Sequence, residues 1–206
     1  MGRALLVIDV QNDFCPGGSL AVPDGDSVVP VINRLAQHFT KVVATQDWHP
    51  LGHVSFASSH PGAKPFQSVQ VPGGAGRQEV WPEHCLAGSG GAELHPGLDV
   101  VPLSLIVRKG TRVELDSYSA FFENDRRTPT GLGACLRELG LDELYLAGLA
   151  TDVCVYYSAL DALRLGFAVR LVEDACRGID LPAGSLPERL RELRGAGVRI
   201  LDSSEV

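Results

Sequence analysis

Short runs of apolar residues alternate along this chain with longer stretches in which apolar positions recur every three or four residues. "RALLVIDV" (3–10), "KVVAT" (41–45), "LSLIVRK" (103–109), "ELYLAG" (143–148), "FAVRLVED" (167–174) and "VRIL" (198–201) read as strands. Buried parallel strands are near-continuous in Val, Ile and Leu. "SVVPVINRLAQHF" (27–39), "TGLGACLRELG" (130–140), "DVCVYYSALDALRLG" (152–166) and "SLPERLRELRGAG" (185–197) read as helices. Pro30 falls near a first turn, where its missing N–H costs nothing, and the last two helices run into glycines. This alternation predicts an open, mostly parallel six-stranded sheet with helices on both faces, a single three-layer, Rossmann-like α/β domain over residues 1–206. The segment at about 47–100 breaks the pattern. It is rich in Gly, Pro, Ser and His, has little periodicity, and reads as a loop-rich functional insert rather than a linker.

Composition narrows the partners. A chain of 206 residues suffices for one sizeable core. A net charge of -7 with no lysine- or arginine-rich block argues against nucleic acid as a partner, which requires a clustered basic surface. The first apolar run is cut short by Asp9, too soon for a secretory signal or a membrane span, so a cytoplasmic protein without a membrane partner is expected. Five cysteines at irregular spacing, with no CxxC pair, fit reduced thiols better than a disulfide framework or a four-cysteine zinc site. A homo-oligomer stays open, since no sequence patch marks a self-contact.

Reactive side chains gather at strand ends. Asp9 interrupts the first strand, Asp47 follows the second, Lys109 ends the third, and Cys154 lies just past the fourth. In open α/β sheets, ligands bind in the crevice beyond the carboxyl ends of the strands. Taken singly, each residue has a bland reading: Asp9 as a turn cap, Lys109 as a solvated charge, Cys154 as a small packed side chain. Together they form a pattern. Arg108 and Lys109 alternate faces, so one of them points inward. Cys154 follows Thr151 and Asp152, both good N-cap types, which predicts a thiol in the first helical turn, where the dipole favours a thiolate. In "DWHPLGH", Asp47 and His49 can face one side of an extended segment, and "WPEHC" brings His84 from elsewhere in the insert. One carboxylate and two imidazoles suit a divalent ion; Glu83 and Cys85, which flank His84, compete for its role, and His53 follows His49 after a turn. His38, His60 and His95 read as surface residues.

"DVQNDF", "TQDWHP", "HVSF", "WPEHC", the "KG" that closes a central strand, and "GLATDVCV" occur in order from about residue 5 to residue 201. Together they resemble the nicotinamidases of the isochorismatase-like cysteine hydrolase superfamily. The resemblance implies Asp9, Lys109 and Cys154 as the catalytic triad and Asp47, His49 and His84 as metal ligands, with His53, Ser55 or a water as a further one. It implies one divalent ion, zinc first, with iron or manganese as alternatives. It implies Phe14, Trp81 and Tyr118 around a pyridine ring, and a cis Leu149–Ala150 peptide that aims the Ala150 amide, with that of Cys154, at an oxyanion. The implied reaction is hydrolysis of nicotinamide to nicotinate and ammonia through a Cys154 thioester, in NAD salvage, with pyrazinamide also accepted. Two alternatives stand beside it: a ureido or carbamoyl amidase of the same superfamily, and a non-hydrolytic thiol protein that binds a ligand. The second leaves Asp9, Lys109 and the metal set without roles.

Overall fold

The computed structural model describes residues 2–71 and 76–206; residues 72–75 of the expected insert lie outside the described residues. The strands are β1 (Gly2–Ile8), β2 (Val42–Asp47), β3 (Gln67–Gln70), β4 (Arg77–Val80), β5 (Leu103–Lys109), β6 (Leu141–Leu149), β7 (Ala168–Arg177) and β8 (Arg199–Leu201). The α-helices are α1 (Val28–Ala36), α2 (Leu132–Glu138), α3 (Tyr156–Arg164) and α4 (Ser185–Ala196). All six expected strands and all four expected helices form, and their strands join one parallel sheet in the order β5-β2-β1-β6-β7-β8. Among the described residues, no helix is long and apolar enough to cross a membrane.

Strand β1 shows how the two layers are built. Leu5 and Val7 face one side and pack with Val28, Ile32 and Leu35 of α1. Ala4, Leu6 and Ile8 face the other, against Leu132 and Leu136 of α2, Ala159 and Ala162 of α3, and Leu193 of α4. The period-2 alternation of a fully buried strand thus feeds two apolar layers, one on each face of the sheet. Each buried Leu or Ile stabilises the fold by roughly 1.5–3 kcal/mol relative to exposure.

The topology dictates where a site can form. From β1 the chain builds outward through β2 to β5 on one side, then returns to β6, β7 and β8 on the other. The order reverses at β1, and the crevice at such a switch point is the expected ligand site. The four strands whose ends carry Lys109, Asp47, Asp9 and Cys154 are consecutive neighbours in the sheet.

The insert departs from expectation. It is not structureless: β3 and β4 pair as an antiparallel ribbon, with Gln67 opposite Val80 and Gln70 opposite Arg77. Each strand has only four residues, and on β4 just Gln78 and Val80 are buried, too short an alternation to stand out. His60 and His95 are half-buried rather than fully exposed, His60 Nε2 lying 2.7 Å from the Val54 carbonyl oxygen and His95 Nδ1 accepting from the Gly97 amide at 3.1 Å. Only His38 of the three is exposed.

Candidate active site

Strand β1 stops at Ile8 because Asp9 takes φ 50°, in the left-handed region. That conformation costs an L-residue about 1–2 kcal/mol, least for Asp and Asn. It turns the Asp9 carboxylate back over the strand ends. There Thr45 Oγ donates to Asp9 Oδ1 at 2.6 Å, and the Asp9 amide donates to Thr45 Oγ at 3.2 Å. Asp47 and Lys109 are direct partners in the parallel ladder between β2 and β5.

Lys109 is the inward member of the Arg108–Lys109 pair, 1% exposed, while Arg108 lies 3.6 Å from the centre of the Trp48 ring on the surface. The buried ammonium sits among four acceptors. Its Nζ is 2.8 Å from Asp9 Oδ2, 2.5 Å from Asp47 Oδ1, 2.9 Å from the Ser117 carbonyl oxygen and 3.6 Å from Cys154 Sγ. Asp9, Asp47 and Cys154 all offer donor atoms within 4.8 Å of one another. The expected triad does converge.

One buried cation between two buried carboxylates shares its charge unequally. At Asp9, burial outweighs the attraction of Lys109, the nearby Asp47 charge adds to it, and the carboxyl rises above its ordinary range. At Asp47, burial also acts upward, but Lys109 and His49 overcome it and hold the carboxyl well below that range. Burial would lower Lys109, yet the two carboxylates keep it firmly protonated. Burial drives the Cys154 thiol well above its usual range despite Lys109, so the resting group is a thiol, beside a carboxylate whose proton affinity burial has raised.

Thr151 and Asp152 do not cap a helix as expected. Thr151–Val155 is one π-helical turn capped by Ala150, whose carbonyl accepts from both the Val153 and Val155 amides at 3.1 Å. Such turns inside helices recur at functional sites. Asp152 turns instead to a neighbouring loop and accepts from the amides of Ile179 at 2.9 Å and Asp180 at 2.8 Å. The Leu149–Ala150 peptide is cis. Gly148, at φ 120°, is needed for backbone approach, since a Cβ there would meet the Ile8 carbonyl oxygen at 2.1 Å.

The second cluster lies beside the first. Donor atoms of Asp47, His49 and His84 all fall within 4.8 Å of one another, and His49 Nε2 is 3.6 Å from Asp47 Oδ2. His49 Nδ1 donates to the Gly110 carbonyl at 2.9 Å, which leaves Nε2 buried with no hydrogen-bond partner. A residue larger than glycine at 110 would strike this ring, its Cβ 2.4 Å from Cε1. Burial and the neighbouring His49 push His84 and His53 down to about 4, so both imidazoles are neutral at pH 7, the form that ligates metals. Asp47 works against burial and raises His49 above the ordinary imidazole value, so a divalent ion would take the place of a proton there; the His49 Nε2, the Asp47 carboxylate and the neutral His84 imidazole fit such an ion. His53 stacks on His49 at 4.1 Å and bonds Ser55 Oγ at 2.7 Å. Its donor atoms group with those of His49 and Asp116.

Phe14, Trp81 and Tyr118 line one narrow pocket together with Asp47, His84, Ala150 and Cys154. The aromatic positions therefore come to the thiol and to the imidazole cluster at once. Several polar residues that hold this arrangement were not recognised from sequence. Gln11 clamps the Asp47 backbone, accepting from its amide and donating to its carbonyl, both at 2.8 Å. Asp13 accepts from the Cys85 amide at 2.7 Å and so holds the turn that carries His84. Both lie in "DVQNDF", where the run of three polar residues Gln11, Asn12 and Asp13 after Asp9 and Val10 was the available signal.

Glu123, 5% exposed, has an Oε2 without a partner, and burial lifts its carboxyl to about 7. The folded chain then holds a proton that the unfolded chain, at the ordinary 4.5, releases between those values. The stability this group contributes is complete below about 4.5 and is lost as pH rises through about 7. Glu123→Gln is expected to raise the midpoint of thermal unfolding by about 2–5 °C at pH 8 and to leave it unchanged at pH 4. Melting curves at the two pH values check this.

A buried thiol, an ammonium and a carboxylate meet at the switch point of a parallel sheet, the crevice where α/β enzymes bind their ligands. More specifically, the chain belongs to the isochorismatase family: the isochorismatase domain matches residues 3–204. It is 48% identical over 203 residues to a nicotinamidase of Acinetobacter baylyi, covering 98% of this chain and 94% of that one. Its structure superposes on a nicotinamidase pyrazinamidase of Acinetobacter baumanii with a TM-score of 0.96 at 48% identity, covering 99% of this chain and 97% of that one. A pyrazinamidase of Pyrococcus horikoshii, solved in complex with zinc, matches with a TM-score of 0.80 at 34% identity, covering 98% of this chain and 99% of that one.

Proposed function

We propose that this chain is an amide hydrolase that converts nicotinamide to nicotinate and ammonia, with pyrazinamide as a second substrate. The observation that carries the reading is the position of Lys109 Nζ, within reach of Asp9, Asp47 and Cys154, the last two of which line an aromatic-walled pocket. The names of relatives that match nearly the whole chain support the same substrate.

Asp9, the carboxylate raised by burial, accepts the Cys154 proton, and Lys109 stabilises the thiolate as it forms. The thiolate attacks the amide carbon, and the amides of Ala150 and Cys154 hold the oxyanion. Asp9 returns its proton to the leaving ammonia. A water then attacks the thioester, Asp9 acting again as base, and nicotinate leaves. Phe14, Trp81 and Tyr118 confine the ring. A divalent ion held by Asp47, His49 and His84 would supply a Lewis-acidic anchor for the ring nitrogen. Two imidazoles and a carboxylate favour zinc, with iron and manganese as alternatives and His53, Ser55 or a water as a further ligand.

Ammonia release from nicotinamide tests the reading; its absence in the metal-replete wild-type protein would defeat it. Elemental analysis after gentle purification is expected to find about one divalent ion per chain, falling to a tenth or less in His49→Ala. Full metal content in that variant would remove His49 from the ligand set.

A further inference from the structure

One side chain that this chemistry does not use connects the ring pocket to the imidazole cluster. Gln78 lies on β4 and is one of the two inward residues of that short strand, 9% exposed. Its Nε2 donates to Asp116 Oδ2 at 2.8 Å and lies 3.1 Å from the Tyr118 hydroxyl, with a third contact to the Glu79 carbonyl oxygen at 2.8 Å. Asp116 Oδ1 accepts from the Ser117 amide at 2.8 Å, so this carboxylate, 3% exposed, is gripped at both oxygens. Asn124 closes the network: its Oδ1 accepts from the Tyr118 backbone amide at 2.9 Å, and its backbone N–H donates to the Asp116 backbone carbonyl at 2.7 Å.

Both residues that Gln78 holds face the reaction space. Asp116 and Tyr118 line the narrow pocket with Cys154 and His84, and donor atoms of Asp116 lie within 4.8 Å of those of His49 and His53. An apolar side chain at 78 would leave Asp116 Oδ2 without its donor in a buried site, which favours a rotated carboxylate and frees the Tyr118 ring. The ribbon β3–β4, the element of the insert that periodicity did not reveal, thereby reaches the pocket through one amide.

We infer that Gln78 is a positioning residue for ring recognition: it sets the Tyr118 ring and the Asp116 carboxylate that together form one wall of the pocket. The inference rests on the reading of this pocket as the nicotinamide site. Its signature is a defect in binding with chemistry spared, because Asp9, Lys109 and Cys154 make no contact with Gln78 among the described hydrogen bonds.

Gln78→Met preserves volume and removes the donors. With nicotinamide as substrate, KM is expected to rise about tenfold while kcat stays within about threefold of wild type. Tyr118→Phe removes one acceptor and is expected to raise KM about threefold. Introduced into Gln78→Met, it should add less than twofold, since the two residues act through one contact. A KM within twofold of wild type in Gln78→Met, a loss confined to kcat, or multiplying effects in the double variant would overturn the inference. If Gln78→Met does not fold, Tyr118→Phe alone decides, an unchanged KM counting against it. A wild-type protein inactive on nicotinamide would defeat the substrate reading instead, so the two failures are distinct.

Discussion

Cys154→Ala is expected to lower ammonia release from nicotinamide by a factor on the order of 10⁴ or more, with the fold intact. Cys154 is the thiol that meets both Lys109 Nζ and the Asp9 carboxylate. Cys15 and Cys176 are buried elsewhere, pushed up by burial to about 11 and about 12; Cys85, beside His84, is held well above its usual range by burial and nearby carboxylates; among the described hydrogen bonds a lysine meets only the Cys154 sulfur. Truncating one sulfur atom at the edge of a pocket creates little new cavity, so the unfolding midpoint should move by only a few degrees. Activity and stability therefore separate in this variant. Comparison of initial rates and melting curves against wild type checks both halves, and near-normal turnover in Cys154→Ala would remove the thioester from the mechanism.

Lys109→Met is expected to damage both. The substitution keeps much of the aliphatic stem but deletes the ammonium that pairs with both Asp9 and Asp47, leaving His49 beside Asp47 alone. Breaking a buried pair from one side leaves uncompensated charge and costs about 3–5 kcal/mol. For a chain of this length that corresponds to a fall of roughly 10 °C in the unfolding midpoint. Turnover should also drop by at least about 10²-fold at temperatures where the variant is folded, because thiolate formation loses its counter-charge. Lys109→Arg should recover part of the stability and little of the activity: the guanidinium keeps the charge, but its planar fork does not match an ammonium held by acceptors on several sides. Thermal melts and rates of the two variants side by side separate a charge effect from a geometric one.

Much of the site was legible in the chain because charges that interrupt apolar runs are anomalies that burial must explain. Asp9, Asp47, Lys109 and Cys154 all end or follow such runs, and the parallel sheet aligns those ends on one edge. The residues that were missed act over long separations through backbone groups. Asp13 reaches the Cys85 amide 72 positions away, and Gln11 reaches Asp47 36 positions away. No periodicity marks a side chain whose partner is a distant amide. The cap expected ahead of Cys154 failed for a related reason. Thr151 and Asp152 have the chemistry of N-caps, but Asp152 satisfies the amides of Ile179 and Asp180, and a π-turn from Ala150 takes the place of the expected first α-turn. Tertiary demand overrode a local preference.

The central claim is a nicotinoyl thioester on Cys154. Acid-quenching the protein during steady turnover of nicotinamide, followed by peptide mass mapping, tests it most directly. The expected result is one nicotinoyl group on the peptide that carries Cys154, and none in Cys154→Ala. An acyl group on another residue, or undiminished turnover after Cys154 has been alkylated, would contradict it.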